Sequence, residues 1–260
     1  MLIGTSGWQY PHWRERFYPP GLPQARWLEH YSARFSTVEV NSAFYRLPEP
    51  GTFEDWGAKT PEDFVLAVKA SRYITHIKRL KEPAEPVKRL LDSSRHLGPK
   101  LGPVLLQLPP NLHADLEDLE QVLAQFPDEI RVAVEPRHQS WFEVDTPGLL
   151  ARHGAAFCLT DNAGRRTPDW QTADWGYLRM HAGRAHPKPC YGRGALQSWA
   201  KRLAEMWPES ATIYVYFNND ECGCALRDAQ RFAGAVERAG LTPSRVAPAR
   251  EISVGSSRCP

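Results

Sequence analysis

Arg131-Val132-Ala133-Val134-Glu135 is a short β-rich run, and Pro136-Arg137-His138 follows it at once. Side chains alternate along a strand, so Val132 and Val134 share one face while Ala133 and Glu135 share the other. One face is apolar throughout. The other is apolar until its last position, where a carboxylate appears and a proline ends the strand. A strand buried on both sides that turns polar only at its inner C-terminal end fits a parallel barrel, whose strand ends converge on the mouth.

The same signature recurs in both directions along the chain. Comparable runs are Leu2 to Thr5, Thr37 to Asn41, Phe64 to Lys69, Val104 to Gln107, Ala155 to Thr160, Gly176 to His181 and Thr212 to Asn218. Together with the first run they make eight, starting on average about 30 residues apart, the repeat of a (β/α) unit in a barrel of ~250 residues. Positions two apart pair Glu39 with Asn41, Ala67 with Lys69, Leu105 with Gln107, Arg179 with His181, and Tyr216 with Asn218. In each pair a polar group falls at the last or next-to-last position of one face. Near-buried Glu39, Lys69, Glu135 and Arg179 must pair with one another or bind something.

Between the runs lie helical stripes. Ala84 to Leu97 carries Val87, Leu90, Leu91 and Leu97, with Gly98 as its stop. Further stripes are Leu116 to Phe126, Leu196 to Trp207, and Leu226 to Val236 with Gly240 beyond it. Thr146-Pro147 reads as an N-cap with proline in the first turn, and Gly154 closes that helix. From Asp161 to Trp175 there is no stripe, so one outer helix is expected to be missing or degenerate. The expectation is an α/β chain forming one TIM-type (β/α)8 barrel over residues 1–240, with a partly loose tail over residues 241–260.

Composition agrees. The chain has 260 residues, 42% hydrophobic and 24% charged, with nine Trp, nine Tyr and ten Phe, enough for a large core and too apolar for a disordered chain. No run approaches the ~18 apolar residues of a membrane span. Met1-Leu2-Ile3-Gly4 passes directly into an apolar segment without a basic leader, and the expected location is cytoplasmic. Five cysteines at irregular spacing argue against a disulfide framework, so Cys190, Cys222 and Cys224 are read as reduced thiols and an iron–sulfur cluster is not expected. The formal net charge of +2 conceals two acid-free basic stretches, Lys69 to Lys81 and Gly176 to Ala204.

Aromatic residues border the polar strand ends. Trp8, Tyr10, Tyr45 and Trp141 are candidates for stacking against a sugar or base, and Arg137, His138, Asn219 and Asp220 for directional contacts.

These clusters resemble a known family. Gly4-Thr5-Ser6-Gly7-Trp8 with Tyr10 and Trp13, Phe17-Tyr18-Pro19, Val38-Glu39-Val40-Asn41-Ser42 with Phe44-Tyr45-Arg46, Thr75-His76, Gln107-Leu108-Pro109-Pro110, Glu135-Pro136-Arg137-His138 with Ser140-Trp141, and Tyr216-Phe217-Asn218-Asn219-Asp220 occur in the order found in YecE-like proteins. The resemblance implies a TIM-barrel fold and no settled activity. One departure stands out: His181-Ala182-Gly183 replaces the His-Gly that the family typically carries after the seventh strand.

Three chemistries fit the residues. In the first, Glu39 and Glu135 act as a general acid–base pair whose pKa values are separated by environment, while Lys69, Arg179 and His181 hold an anionic group. Substrate contacts then come from Trp8, Tyr10, Asn41, Tyr45, Gln107, Arg137, His138, Trp141, Arg179, Asn218, Asn219 and Asp220. Lys69 is expected to pair with a carboxylate, with Schiff-base chemistry as the lesser role. The basic stretches favour a small anionic, phosphate-bearing or sugar-like ligand, and nucleic acid stays open as a partner. No cofactor is required by this scheme. The second is a metal-dependent hydrolase or isomerase, similar to apurinic endonucleases or sugar isomerases, with a divalent ion on some of Glu39, Glu135, His138, Asp161, His181 and Asp220. The third is a non-catalytic barrel that binds nucleic acid or a protein partner. Nothing in the sequence indicates an oligomeric state.

Overall fold

The computed structural model describes residues 1–255. Eight parallel strands form the barrel wall: β1 (Leu2–Thr5), β2 (Thr37–Val40), β3 (Val65–Lys69), β4 (Leu101–Gln107), β5 (Val132–Glu135), β6 (Ala156–Asn162), β8 (Gly176–Ala182) and β9 (Ile213–Phe217). The two-residue β7 (Arg165–Arg166) turns back antiparallel against β6. Hydrogen-bonded ladders run β1-β9-β8-β6-β5-β4-β3-β2.

The ring closes between β1 and β2 by a different means. Only an isolated bridge, Ser6 with Glu39, joins them. Tyr31 of α1 (Trp27–Ser32) inserts its hydroxyl there, accepting from the Thr5 amide at 3.0 Å and donating to the Thr37 carbonyl at 3.1 Å. Backbone groups that a ladder would have paired are thus satisfied by a side chain. Gly4 makes the close approach feasible, because a Cβ there would lie 2.3 Å from the Thr37 carbonyl oxygen.

Outside the wall lie α2 (Ser42–Tyr45), α3 (Pro50–Ala58), α4 (Ala84–Ser94), α5 (Leu116–Leu123), α6 (Thr146–Arg152), α7 (Arg193–Met206) and α8 (Cys224–Arg238). Each expected stripe is a helix, and its apolar residues face the wall. Val87 and Leu90, Leu119 and Val122, Leu196 and Trp199, and Leu226 and Phe232 are buried in one core that reaches from Ile3 to Ala247. No helix separates β6 from β8. Coil covers the gap: Trp170 packs on Phe142 and Phe157, and Thr172 Oγ1 accepts from the Phe157 amide at 2.7 Å.

Two local expectations change. The cap of α6 is Asp145, whose side chain accepts from the Gly148 amide at 3.0 Å, while the Thr146 hydroxyl is buried on the Trp141 carbonyl. The segment after α8, expected to be partly loose, is docked over its described length. Ser244 bonds to the Met1 carbonyl, Arg245 pairs with Asp63, Arg34 with Glu251, and Ala247 is fully buried. Residues 256–260 lie outside the described part. No described helix is long and apolar enough to cross a membrane.

Candidate functional site at the barrel mouth

The inward faces fill the barrel in layers. Ala67, Leu105, Ala133, Ala156, Cys158, Tyr177, Tyr214 and Tyr216 pack its lower interior. One step further along the strands come Lys69, Gln107, Glu135, Arg179, His181 and Asn218, as the two-residue period predicts. Register brings Gln107 level with Glu135.

Arg179 is the hub. Its Nη2 and Nε donate to Glu39 at 2.7 and 2.9 Å, and its Nη1 donates to Glu135 at 2.7 Å. All three side chains are buried. Tyr177 donates to Glu39 at 2.7 Å. Glu135 also accepts from Gln107 Nε2 and Arg137 Nε, both at 3.0 Å. His181 Nε2 lies 3.1 Å from Glu135, and its Nδ1 lies 3.1 Å from Asn218 Nδ2. The ring thus bridges the Asn218 amide and the Glu135 carboxylate, to which Nε2–H donates.

This wiring revises the acid–base expectation. Burial alone would raise the Glu39 carboxyl, but Arg179 and the Tyr177 hydroxyl outweigh it and hold the pKa below its usual value. Glu135 is held lower still: burial is overcome by Arg179, His181 and Arg137. The two carboxylates therefore do not separate into an acid and a base. Both stay ionised on a shared guanidinium, whose own pKa they raise against burial.

Lys69 also departs from expectation. Among the described residues its Nζ makes no ion pair or hydrogen bond, because Arg179 occupies the carboxylates. Nζ instead stands over the Phe44 ring, 3.8 Å from its centroid. The residue is 8% exposed. Burial and the neighbouring Arg179 lower its pKa to about 8, against the pull of Glu39 and Glu135.

Above this floor opens a cavity of about 590 Å³ whose wall includes Trp8, Tyr10, Asn41, Phe44, Lys69 and His76. Gln107, Arg137, Arg179 and Asn218 reach the same space, and Tyr45, 73% exposed, stands at the rim. Tyr10 is fixed by its hydroxyl on the Ser6 carbonyl at 2.5 Å, and Asn41 Nδ2 donates to the same oxygen at 3.1 Å. Gly7 turns the loop at φ +99°, and a Cβ there would meet the Tyr10 hydroxyl at 2.9 Å. Asn41 Oδ1 is buried without a hydrogen-bond partner among the described residues. A concavity of similar size lies outside the barrel between α7 and α8, near Arg193, Arg231 and Arg238, but no buried polar group faces it.

Four expected contact residues lie away from the cavity wall. Trp141 is wholly buried with its indole on the Leu112 carbonyl at 2.9 Å. His138 bonds to Ser140 and packs on the His113 ring. Asn219 braces Asp228 and the Pro189 carbonyl, and the Asp220 carboxylate pairs with His12 at 3.4 Å. Tyr177, Phe44 and His76 were not among the expected site residues. Tyr177 carried a signal, since it lies two residues before Arg179 and so on the same face of β8.

The basic stretches are neutralised in part from outside themselves. Lys78 pairs with Glu82, Lys81 with Asp118, Lys201 with Glu205 and Arg202 with Asp169. Of the metal donors only Glu135 and His181 are in contact. Asp161 accepts from the Trp199 indole at 2.8 Å, and no group of three His, Cys, Asp or Glu among the described residues could hold an ion. The cysteine expectation is overturned, because Cys190 and Cys224 form a disulfide and offer no thiolate to a cluster. Their separation of 34 residues hid the pairing, which arises when the β8–α7 loop folds over the start of α8.

Fold and mouth together define a TIM-type barrel protein with an ion-paired polar pocket at the C-terminal ends of its strands. The chain belongs to the DUF72 family, described as proteins of unknown function, whose profile matches residues 2–251. It is 26% identical to the UPF0759 protein YunF of Bacillus subtilis, over 95% of this chain and 99% of that one. It is 31% identical to the UPF0759 protein YecE of Escherichia coli K12, over 55% of this chain and 50% of that one. A DUF72 family protein of Thermotoga maritima superposes with a TM-score of 0.77 at 28% identity, over 91% of this chain and 99% of that one. Another, from Enterococcus faecalis, superposes at 0.77 with 17% identity over 95% and 98%, a likeness of fold alone.

Proposed function

We propose that the mouth is an enzyme site for a small anion-bearing, polar substrate of the sugar-phosphate or nucleotide kind. The observation that carries this reading is the division of charge. Arg179 consumes both buried carboxylates, while the Lys69 amine and the terminal nitrogens of Arg137 are left for the cavity. A volume of about 590 Å³ suits a small molecule. The unpaired Asn41 Oδ1 offers an acceptor for a hydroxyl or amine, and Trp8, Tyr10 and Phe44 offer flat surfaces. Proton transfer falls to Lys69 and to His76, whose pKa burial and Lys69 depress, rather than to the glutamates.

Calorimetric titration with inorganic phosphate, sugar phosphates and nucleotides over a salt series tests this. Binding should weaken with salt and in Arg137→Gln. Salt-insensitive binding, or none, rejects the anion reading. Binding without turnover across the whole panel leaves a binding protein rather than an enzyme.

A further inference from the structure

Lys69 is an unusual way to bind an anion. A phosphate is held best by a permanently charged, bidentate group, and the mouth already has Arg137, whose terminal nitrogens are free for one. A buried amine without a carboxylate partner gives up charge and gains nucleophilicity. Phe44 covers it, Arg179 and Arg137 lie on its cationic side, and no described acid is within ion-pair distance. Burial and the neighbouring guanidiniums favour the neutral amine, against the pull of the Phe44 face and the two glutamates, and with a pKa of about 8 a useful fraction is neutral at physiological pH.

The geometry points to Lys69 as an imine-forming amine that takes the carbonyl carbon of a substrate whose anionic group rests on Arg137. This deepens the anion-binding reading of the same pocket and rests on it. The step balances without any oxidant or reductant. The Nζ lone pair attacks the carbonyl carbon, the C–O π pair moves to oxygen, and that oxygen takes the proton that nitrogen loses. The carbinolamine then expels its oxygen as water, with one further proton taken from solvent, leaving a protonated C=N bond on Lys69. His76, on the same wall, is placed to relay these protons. The resulting cation replaces the ammonium over the Phe44 ring, within the field of Glu39 and Glu135.

Reductive trapping tests the assignment. The whole protein is incubated with pyridoxal 5′-phosphate as probe, reduced with borohydride and mapped by peptide mass. Lys69 should be labelled about tenfold faster or more than the exposed Lys88 and Lys201, with a half-maximal rate near pH 8. Inorganic phosphate should compete, and Lys69→Arg should lose the adduct while still binding phosphate. Labelling of Lys69 no faster than of surface lysines, with phosphate binding intact, overturns the imine assignment and leaves the anion reading standing. Fast labelling of Lys69 that phosphate does not slow, matched by phosphate-free pyridoxal, keeps the amine chemistry and rejects the anion reading. Neither fast labelling nor phosphate binding rejects both. Because the labelling rate is read on the unmodified protein, the result does not depend on a variant that folds.

Discussion

Two sides of one mouth handle charge in opposite ways. On the Glu39–Arg179–Glu135 side every ionised group has partners, and each distance from the guanidinium is that of a strong charge-assisted hydrogen bond. On the neighbouring strand β3, Lys69 is nearly as buried and, among the described residues, has no ion pair or hydrogen bond, only the Phe44 ring. Paired charge holds the strands in place. Unpaired charge costs stability, which the rest of the fold must offset, and the return is a group ready to act on a ligand.

The hardest way to break this contrast is Arg179→Met. It strands two buried carboxylates and should cost about 3–5 kcal/mol in urea unfolding. The pH dependence should change sign as well. In the parent both glutamates have folded pKa values below the unfolded ~4.3, so their contribution is full above that pH and is lost as pH falls through the folded values. Without Arg179 burial raises them, and the variant should gain stability on mild acidification. A loss below about 1 kcal/mol would show that the network is not the keystone described here.

Removing the unpaired charge should do the reverse. Lys69 has a folded pKa of about 8 against ~10.4 unfolded, so stability should climb between those two pH values. Lys69→Met should remove that climb and add up to roughly 3 kcal/mol at neutral pH, while anion binding falls. Destabilisation at pH 7 would mean that the amine is paired after all.

Smaller effects sharpen the boundary between the two sides. Tyr177→Phe deletes one neutral donor to a buried carboxylate and should cost about 2 kcal/mol by thermal unfolding, with ligand binding unchanged. Arg137→Gln should move stability by less than about 0.5 kcal/mol, since its side chain is substantially exposed, yet lower phosphate affinity roughly tenfold. If the Arg137 variant loses stability and keeps its affinity, the division of labour is drawn in the wrong place.

What the sequence could show follows from how local each signal is. The eight strands, the missing helix after β6 and the inward polar positions all depend on spacings of two to four residues, and the structure has them. Pairings across the barrel are another matter. Nothing near Glu39 indicates that Arg179, 140 residues away, would take it in preference to Lys69. Trp141 and Asn219 sit in motifs rich in polar and aromatic residues, which suggests a site, but their partners, the Leu112 carbonyl and Asp228, turn them inward. The acid-free stretches read as basic faces because their acids lie just past their ends, as Glu82 and Glu205 do, or are remote in sequence, as Asp118 and Asp169 are. The Cys190–Cys224 bond bears on the expected cytoplasmic location too, since disulfides persist mainly in oxidising surroundings.

The Tyr31 closure gives the barrel one compliant joint. Elsewhere opening the wall means breaking a ladder, whereas β1 and β2 are held by a bridge, the Tyr31 hydroxyl and the Asn41 amide on the Ser6 carbonyl. The loop carrying Trp8 and Tyr10 leaves one lip of that joint, and Asn41 leaves the other, so a small parting there widens the cavity on the side away from the Glu135–Arg179 pair of β5 and β8. Amide hydrogen exchange should find the Thr5 and Glu39 amides, which face this joint, less protected than those of β5 or β8. A tube with seven welded seams and one buttoned one has a built-in direction in which to yield to a guest.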